Sequence, residues 1–166
     1  MSVGCSWDRG RLTTSDAQAM VNKADSLGGR RMERKAECAC GRLSVIVSGN
    51  PEIVAVCNCT QCQKRCGAPF GVSAYFNKSQ TISIQGDHEK FRRTSEKGRW
   101  LEFNFCPNCG STVFWYAEQG PDWIGIASGS FADPDFPEPT WAVFTGTRHK
   151  WVNFPEGINL HETQPI

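Results

Sequence analysis

The sequence has no apolar run near the roughly 18 residues that a membrane-spanning helix needs. It has no excess of either charge: 18 Lys and Arg face 17 Asp and Glu, for a formal charge of +1. That balance gives little electrostatic grip on nucleic acid or anionic lipid, so neither partner is expected. The start, Met1-Ser2-Val3-Gly4-Cys5-Ser6-Trp7-Asp8, lacks the basic-then-apolar pattern of a secretory signal. A cytoplasmic protein is therefore expected. Histidine is scarce: His88, His149 and His161 lie outside any metal-type motif, which leaves them as surface or core residues. No internal repeat or low-complexity segment is visible. With 39% apolar and 21% charged residues, a largely disordered chain is excluded. The length of 166 residues points to one domain with a tail.

Cysteine is what the sequence has in excess. Nine is an odd number, and the chain is long enough to build a core without staples, so disulfides are the weaker reading. Seven fall in three tight clusters: Cys38 with Cys40, then Cys57 with Cys59 and Cys62, then Cys106 with Cys109. Cys5 and Cys66 stand apart. A short turn can aim two sulfurs at one ion, so zinc is favoured over an iron–sulfur cluster. Cys106-Pro107-Asn108-Cys109-Gly110 is the most specific piece, a knuckle whose N–H groups point at sulfur and whose glycine permits a positive φ.

The first thirty or so residues differ from the rest. Ala17, Met20, Val21, Ala24 and Leu27 recur at helical spacing, with Thr14 or Ser15 as N-cap and Gly28-Gly29 as the stop. Residues 1–33 are thus expected to form an extension, helical around 15–27. Arg30 to Lys35 reads as a basic link with a solvated face. The zinc domain is expected over 34–166. There the chain reads as short strands punctuated by Gly and Pro: Leu43 to Val47, Ile53 to Val56, Val72 to Phe76, Ile82 to Ile84, Leu101 to Phe105, Val113 to Tyr116, Trp123 to Ala127 and Trp141 to Thr145. Thr60 to Arg65 reads as one or two helical turns, and Pro134 to Pro139 as a loop. Phe70, Phe76, Trp115 and Tyr116 are pocket candidates, although aromatics at strand spacing usually belong to the core. The fold class is mainly β.

Seven clustered sulfurs divide naturally into four and three. Cys57, Cys59 and Cys62 can make a three-sulfur site alone, which leaves Cys38, Cys40, Cys106 and Cys109 for a Cys₄ site. The Cys₄ site would staple segments 66 residues apart. The alternative adds Cys66, at i+4 from Cys62, as a fourth ligand of the second site. A three-thiolate zinc carries a formal charge of −1, so water bound to it is hard to ionise. A substrate thiol suits it better, because coordination removes the thiol proton at neutral pH.

The stretches Cys38-Ala39-Cys40-Gly41, Cys57-Asn58-Cys59-Thr60-Gln61-Cys62-Gln63-Lys64 and Cys106-Pro107-Asn108-Cys109-Gly110 together resemble the glutathione-dependent formaldehyde-activating enzyme family, the centromere protein V / Gfa-like group. Gly67-Ala68-Pro69-Phe70, Ala127-Ser128-Gly129-Ser130-Phe131 and Trp151 after basic residues add to the likeness, which spans Arg34 to Phe154. Cys66 departs from it, standing where many relatives carry serine or threonine. The resemblance implies an Mss4-like β-tent of small sheets with two zinc ions per chain. It implies a structural zinc on Cys38, Cys40, Cys106 and Cys109 and an active-site zinc on Cys57, Cys59 and Cys62. It also implies carbon–sulfur lyase-type chemistry like that of an S-(hydroxymethyl)glutathione synthase, joining a thiol such as glutathione to an aldehyde or releasing it. No further catalytic residue is assigned. The rival readings are a non-catalytic zinc-stabilised binding module and the same chemistry on another substrate.

Overall fold

A computed structural model describes residues 32–165 of the chain. The strands are β1 (Glu33–Glu37), β2 (Ser44–Ser48), β3 (Ile53–Cys57), β4 (Gly71–Asn77), β5 (Thr81–Gln85), β6 (Glu89–Thr94), β7 (Trp100–Phe105), β8 (Thr112–Ala117), β9 (Trp123–Ala127), β10 (Trp141–Val143) and β11 (Asn159–Leu160). One α-helix, α1 (Thr60–Cys66), follows β3. The order β1-β2-β5 makes a three-stranded sheet, and β11-β10-β3-β4-β9-β8-β7-β6 makes an eight-stranded one. Pairing is antiparallel except at β10, which runs parallel to β3 and to β11. The mainly β expectation holds.

Alternation along the strands decides what each face does. In β2, Val45 and Val47 are fully buried. In β4, Val72, Ala74 and Phe76 point the same way as Val54 of β3 and Ile124 and Ile126 of β9. These side chains meet Ala36, Leu43, Val45 and Val47 to form the core between the two sheets. Each buried Val, Leu, Ile or Phe contributes about 1.5–3 kcal/mol, before chain entropy is set against it.

The other face of the large sheet carries a different row. Register places Phe91, Phe103, Trp115, Gly125, Tyr75 and Ile53 side by side across six strands. Trp115 lies across the backbone of Gly125, so that a Cβ at 125 would stand 2.2 Å from its Nε1. Tyr75 meets the Trp115 ring edge-on at 6.4 Å. This row is the floor on which α1 rests, with the Arg65 guanidinium 4.8 Å from the Trp115 ring centroid.

Two segments differ from the sequence expectation. Arg34 and Lys35, read as part of a basic link, lie in β1. The Arg34 charge is met by Asp133 at 3.0 Å and by the Asn50 side-chain Oδ1 at 2.9 Å, partners that sequence spacing cannot show. The edge strand β6, Glu-Lys-Phe-Arg-Arg-Thr, has no apolar alternation to announce it because charges protect an edge. The helix expected around 15–27 lies outside the described residues.

Gly125→Ala should cost about 1–3 kcal/mol, because the methyl group must displace the buried Trp115 ring. Gly129→Ala, where nothing lies within 4 Å, serves as the control. Denaturant midpoints of the two variants check this, and equal midpoints would contradict it.

Candidate metal centres

Two turns build the first sulfur set. Cys38 and Cys40 lie between β1 and β2, and Cys106 and Cys109 lie between β7 and β8. The turns close alike: Gly41 N–H donates to the Cys38 carbonyl at 2.9 Å, and Gly110 N–H donates to that of Cys106 at 2.8 Å. Both glycines take φ of +74°, the left-handed region that a side chain disfavours. Leu43 N–H donates to Cys38 Sγ at 3.2 Å, and Ala39 N–H donates to Ser111 Oγ at 3.2 Å, which docks one turn on the other.

All four Sγ atoms lie within 4.8 Å of one another. Tetrahedral zinc with bonds of about 2.3 Å sets its sulfurs about 3.8 Å apart. Here Cys38 to Cys40 is 3.5 Å and Cys40 to Cys106 is 3.7 Å. The donor set therefore fits a four-coordinate thiophilic ion. Hydrogen bonding with Ser111 lowers the Cys109 thiol to about 5, whereas burial raises that of Cys106 to about 11. A cation among the sulfurs removes that conflict by binding all four as thiolates.

The second set comes from one short segment. Cys57 ends β3, Cys59 caps α1 and Cys62 lies in its first turn. Cys59 has extended backbone, φ −64° and ψ 150°, and its Sγ accepts from Cys62 N–H at 3.4 Å. Asn58 is fully buried between them and donates through Nδ2 to the Val143 carbonyl at 3.0 Å. Gln63 Nε2 donates to the Asn58 and Thr147 carbonyls at 2.7 and 3.0 Å, and Thr147 Oγ1 donates to the Asn58 carbonyl at 2.9 Å. The turn is thus clamped from both sides, and its three half-buried Sγ atoms lie within 4.8 Å of one another. The neighbouring Cys57 and then Cys62 side chains pull the Cys59 thiol down to about 2, while Cys59 and Cys62, with burial, push Cys57 well above the thiol range. Three sulfurs at this spacing are a donor set that can hold a cation and is one ligand short of a tetrahedron.

Both sulfur sets match the groups expected from spacing, and neither includes a histidine or a carboxylate. The eight described cysteines form no disulfide. Cys66 does not join the second set: it is exposed, with its Sγ against Gly71, where a Cβ would stand 3.1 Å away. Cys5 lies outside the described residues. His149 pairs with Gln63 at 3.2 Å, while His88 meets Phe114 edge-on and His161 lies tilted against Trp141. Of the pocket candidates, Phe76 is core, whereas Trp115 lies under α1.

Two neighbours of the second set escaped the sequence reading. Arg65 follows Cys62 by three residues, and helical spacing alone would have placed it on the same face. Tyr75 is reached only through sheet register. Burial pushes its hydroxyl up to about 12, and the nearby Cys57 and Cys62 push it the same way.

As metal centres the two sets differ in reach. A metal on the first ties together turns 66 residues apart, and one on the second closes only a six-residue segment. In metal-loaded protein, Cys38→Ser should cost about 4 kcal/mol or more, and Cys59→Ser about 1 kcal/mol. Chemical denaturation with metal analysis of each variant checks the order, and equal losses would contradict it.

A crystal structure of a Rhodobacter sphaeroides protein shares 18% identity with this chain, covering 60% of it and 91% of the solved chain, at a TM-score of 0.48. No curated protein matches the sequence. The family model for the glutathione-dependent formaldehyde-activating enzyme matches residues 33–147, a stretch that contains both sulfur sets. On that match the chain belongs to the glutathione-dependent formaldehyde-activating enzyme family.

Proposed function

We propose that the chain is a zinc-dependent enzyme of carbon–sulfur bond chemistry. In this proposal Cys38, Cys40, Cys106 and Cys109 hold a structural zinc, and Cys57, Cys59 and Cys62 hold a second zinc where the reaction takes place. The observation that carries the proposal is the contrast between the sets: one offers four sulfurs and the other three. Bound at the second set, zinc would supply a Lewis acid that holds a substrate thiol as its thiolate at neutral pH.

The reaction joins a thiol to an aldehyde. The sulfur bonds to the carbonyl carbon, the C=O π pair moves to oxygen, and that oxygen takes one proton to give a hemithioacetal. The proton gained balances the one the thiol loses, and the reverse path releases the aldehyde. The family supports glutathione and formaldehyde as the pair. Within the chain, the capped turn fixes the three sulfurs, and the Asn58, Gln63 and Thr147 bonds keep α1 from drifting. Tyr75 is the proton source we assign. A hydroxyl pushed up to about 12 keeps its proton at neutral pH and gives it only to a strong base, such as a developing alkoxide.

This chemistry is assigned to the domain over 34–166, which holds both sulfur sets, and not to the extension over 1–33. Among the described residues no helix is long and apolar enough to cross a membrane. Free thiols throughout the described residues favour a reducing compartment, the cytoplasm. The small positive charge of the bare chain turns negative once seven thiolates and two Zn²⁺ are counted, which disfavours a nucleic-acid-binding module.

Thiol and aldehyde also combine unaided, so the test is a rate above that background. Hemithioacetal exchange followed by NMR should be accelerated by the zinc-loaded protein, return to background in Cys59→Ser, and fall about 100-fold or more in Tyr75→Phe. A Cys59→Ser variant as fast as the wild type would make the second site structural. A Tyr75→Phe variant at full rate would leave the proton to solvent.

A further inference from the structure

Seven of the eight described cysteines belong to the two sulfur sets, and Cys66 is the one left over. It has a sulfur neighbour on its own helix. Cys66 ends α1, four residues after Cys62, so both side chains lie on one helix face. They lean over the same backbone atom of β4: a Cβ on Gly71 would stand 3.1 Å from Cys66 Sγ and 3.5 Å from Cys62 Cβ. Arg65 holds that face down, with its guanidinium 4.8 Å from the Trp115 ring centroid and 5.3 Å from that of Phe103.

Residues i and i+4 of an α-helix have Cα atoms about 6 Å apart, inside the roughly 4.4–6.8 Å window of a disulfide. The helix has only seven residues, and Gly67 follows Cys66 in the left-handed conformation at φ +60°. A helix end of this kind frays readily, which gives the last turn the small shift that an S–S bond needs. The two cysteines differ in access. Cys62 is half-buried within the three-sulfur set, whereas Cys66 is exposed and outside it, so a small oxidant meets Cys66 first.

We infer that Cys66 is an oxidation site, where hydrogen peroxide converts the Cys62–Cys66 pair to a disulfide that dismantles the three-sulfur set. The inference rests on that set holding zinc, as proposed above. The Cys66 sulfur takes one peroxide oxygen: an S–O bond forms, the O–O bond breaks, and the other oxygen leaves as water. The Cys62 sulfur then attacks the sulfenic acid. An S–S bond forms, the S–O bond breaks, and the second oxygen leaves as water. Counted as thiols, the pair loses two protons and two electrons, and one peroxide is reduced to two waters. Cys57 and Cys59 alone are two ligands short of a tetrahedron, so the ion is released. The four-sulfur set has no spare cysteine beside it among the described residues and keeps its ion.

The test treats the zinc-loaded full chain with hydrogen peroxide, follows released zinc with a chelating dye and maps disulfides by mass spectrometry. Trypsin cuts after Lys64 and Arg65, so a Cys62–Cys66 disulfide joins two peptides. A disulfide within Cys57, Cys59 and Cys62 stays inside a single peptide. The expected result is release of one of the two ions, the joined pair of peptides, and rebinding of zinc after reduction with dithiothreitol. Cys66→Ser, a small change at an exposed position, should release zinc at least about tenfold more slowly and give no joined pair. Release from Cys66→Ser at the wild-type rate, or oxidised wild type without the joined pair, would overturn the inference and leave the zinc site standing. A starting content of one zinc per chain would overturn the second zinc site and the inference with it.

Discussion

Sulfur atoms held 3.5 Å apart cannot all ionise on their own. Two unit charges at that spacing repel by about 5 kcal/mol even at an effective dielectric near 20. The fold nevertheless brings seven cysteine sulfurs to such spacings in two places. A thiophilic cation turns this repulsion into bonding, and it couples the metal to the fold at the first set in particular. That set brings the β1–β2 turn of the small sheet against the knuckle between β7 and β8. A metal bound there would tie β7 to the small sheet.

The eight-stranded sheet divides structure from chemistry by the alternation of its strands. One face is closed over by the small sheet around Val45, Val47, Phe76 and Ile126. The opposite face carries the row from Phe91 to Tyr75, the helix with Cys59 and Cys62, and unpaired cations. Gly125 links the two roles. The absence of a side chain there lets Trp115 lie flat on the sheet, and Trp115 in turn supports Arg65 beside the three-sulfur set.

Much of the candidate site was legible in the sequence because metal ligands travel in short spacings. C-x-C, C-x-C-x-x-C and C-x-x-C each bring sulfurs together through local turn geometry, and the division into four and three is reproduced by the Sγ positions. The strands with apolar alternation and the short helix after Cys59 were legible for the same local reason. Cross-strand effects were not. β1 hides its strand character behind Arg34 and Lys35, because the partner of Arg34 is 99 residues away. Arg93 and Arg65 meet on Phe103 only through sheet register and helix docking, and Tyr75 joins the site through a strand whose sequence reads as core.

The central claim is one closed and one open zinc site built from separate sulfur sets. Anomalous diffraction at the zinc edge, on crystals of the zinc-loaded protein, tests it most directly. The expected result is two ions per chain. The first should have Cys38, Cys40, Cys106 and Cys109 as neighbours, and the second Cys57, Cys59, Cys62 and a fourth ligand that is not protein. A single ion per chain, or a second ion closed by Cys66, would contradict it.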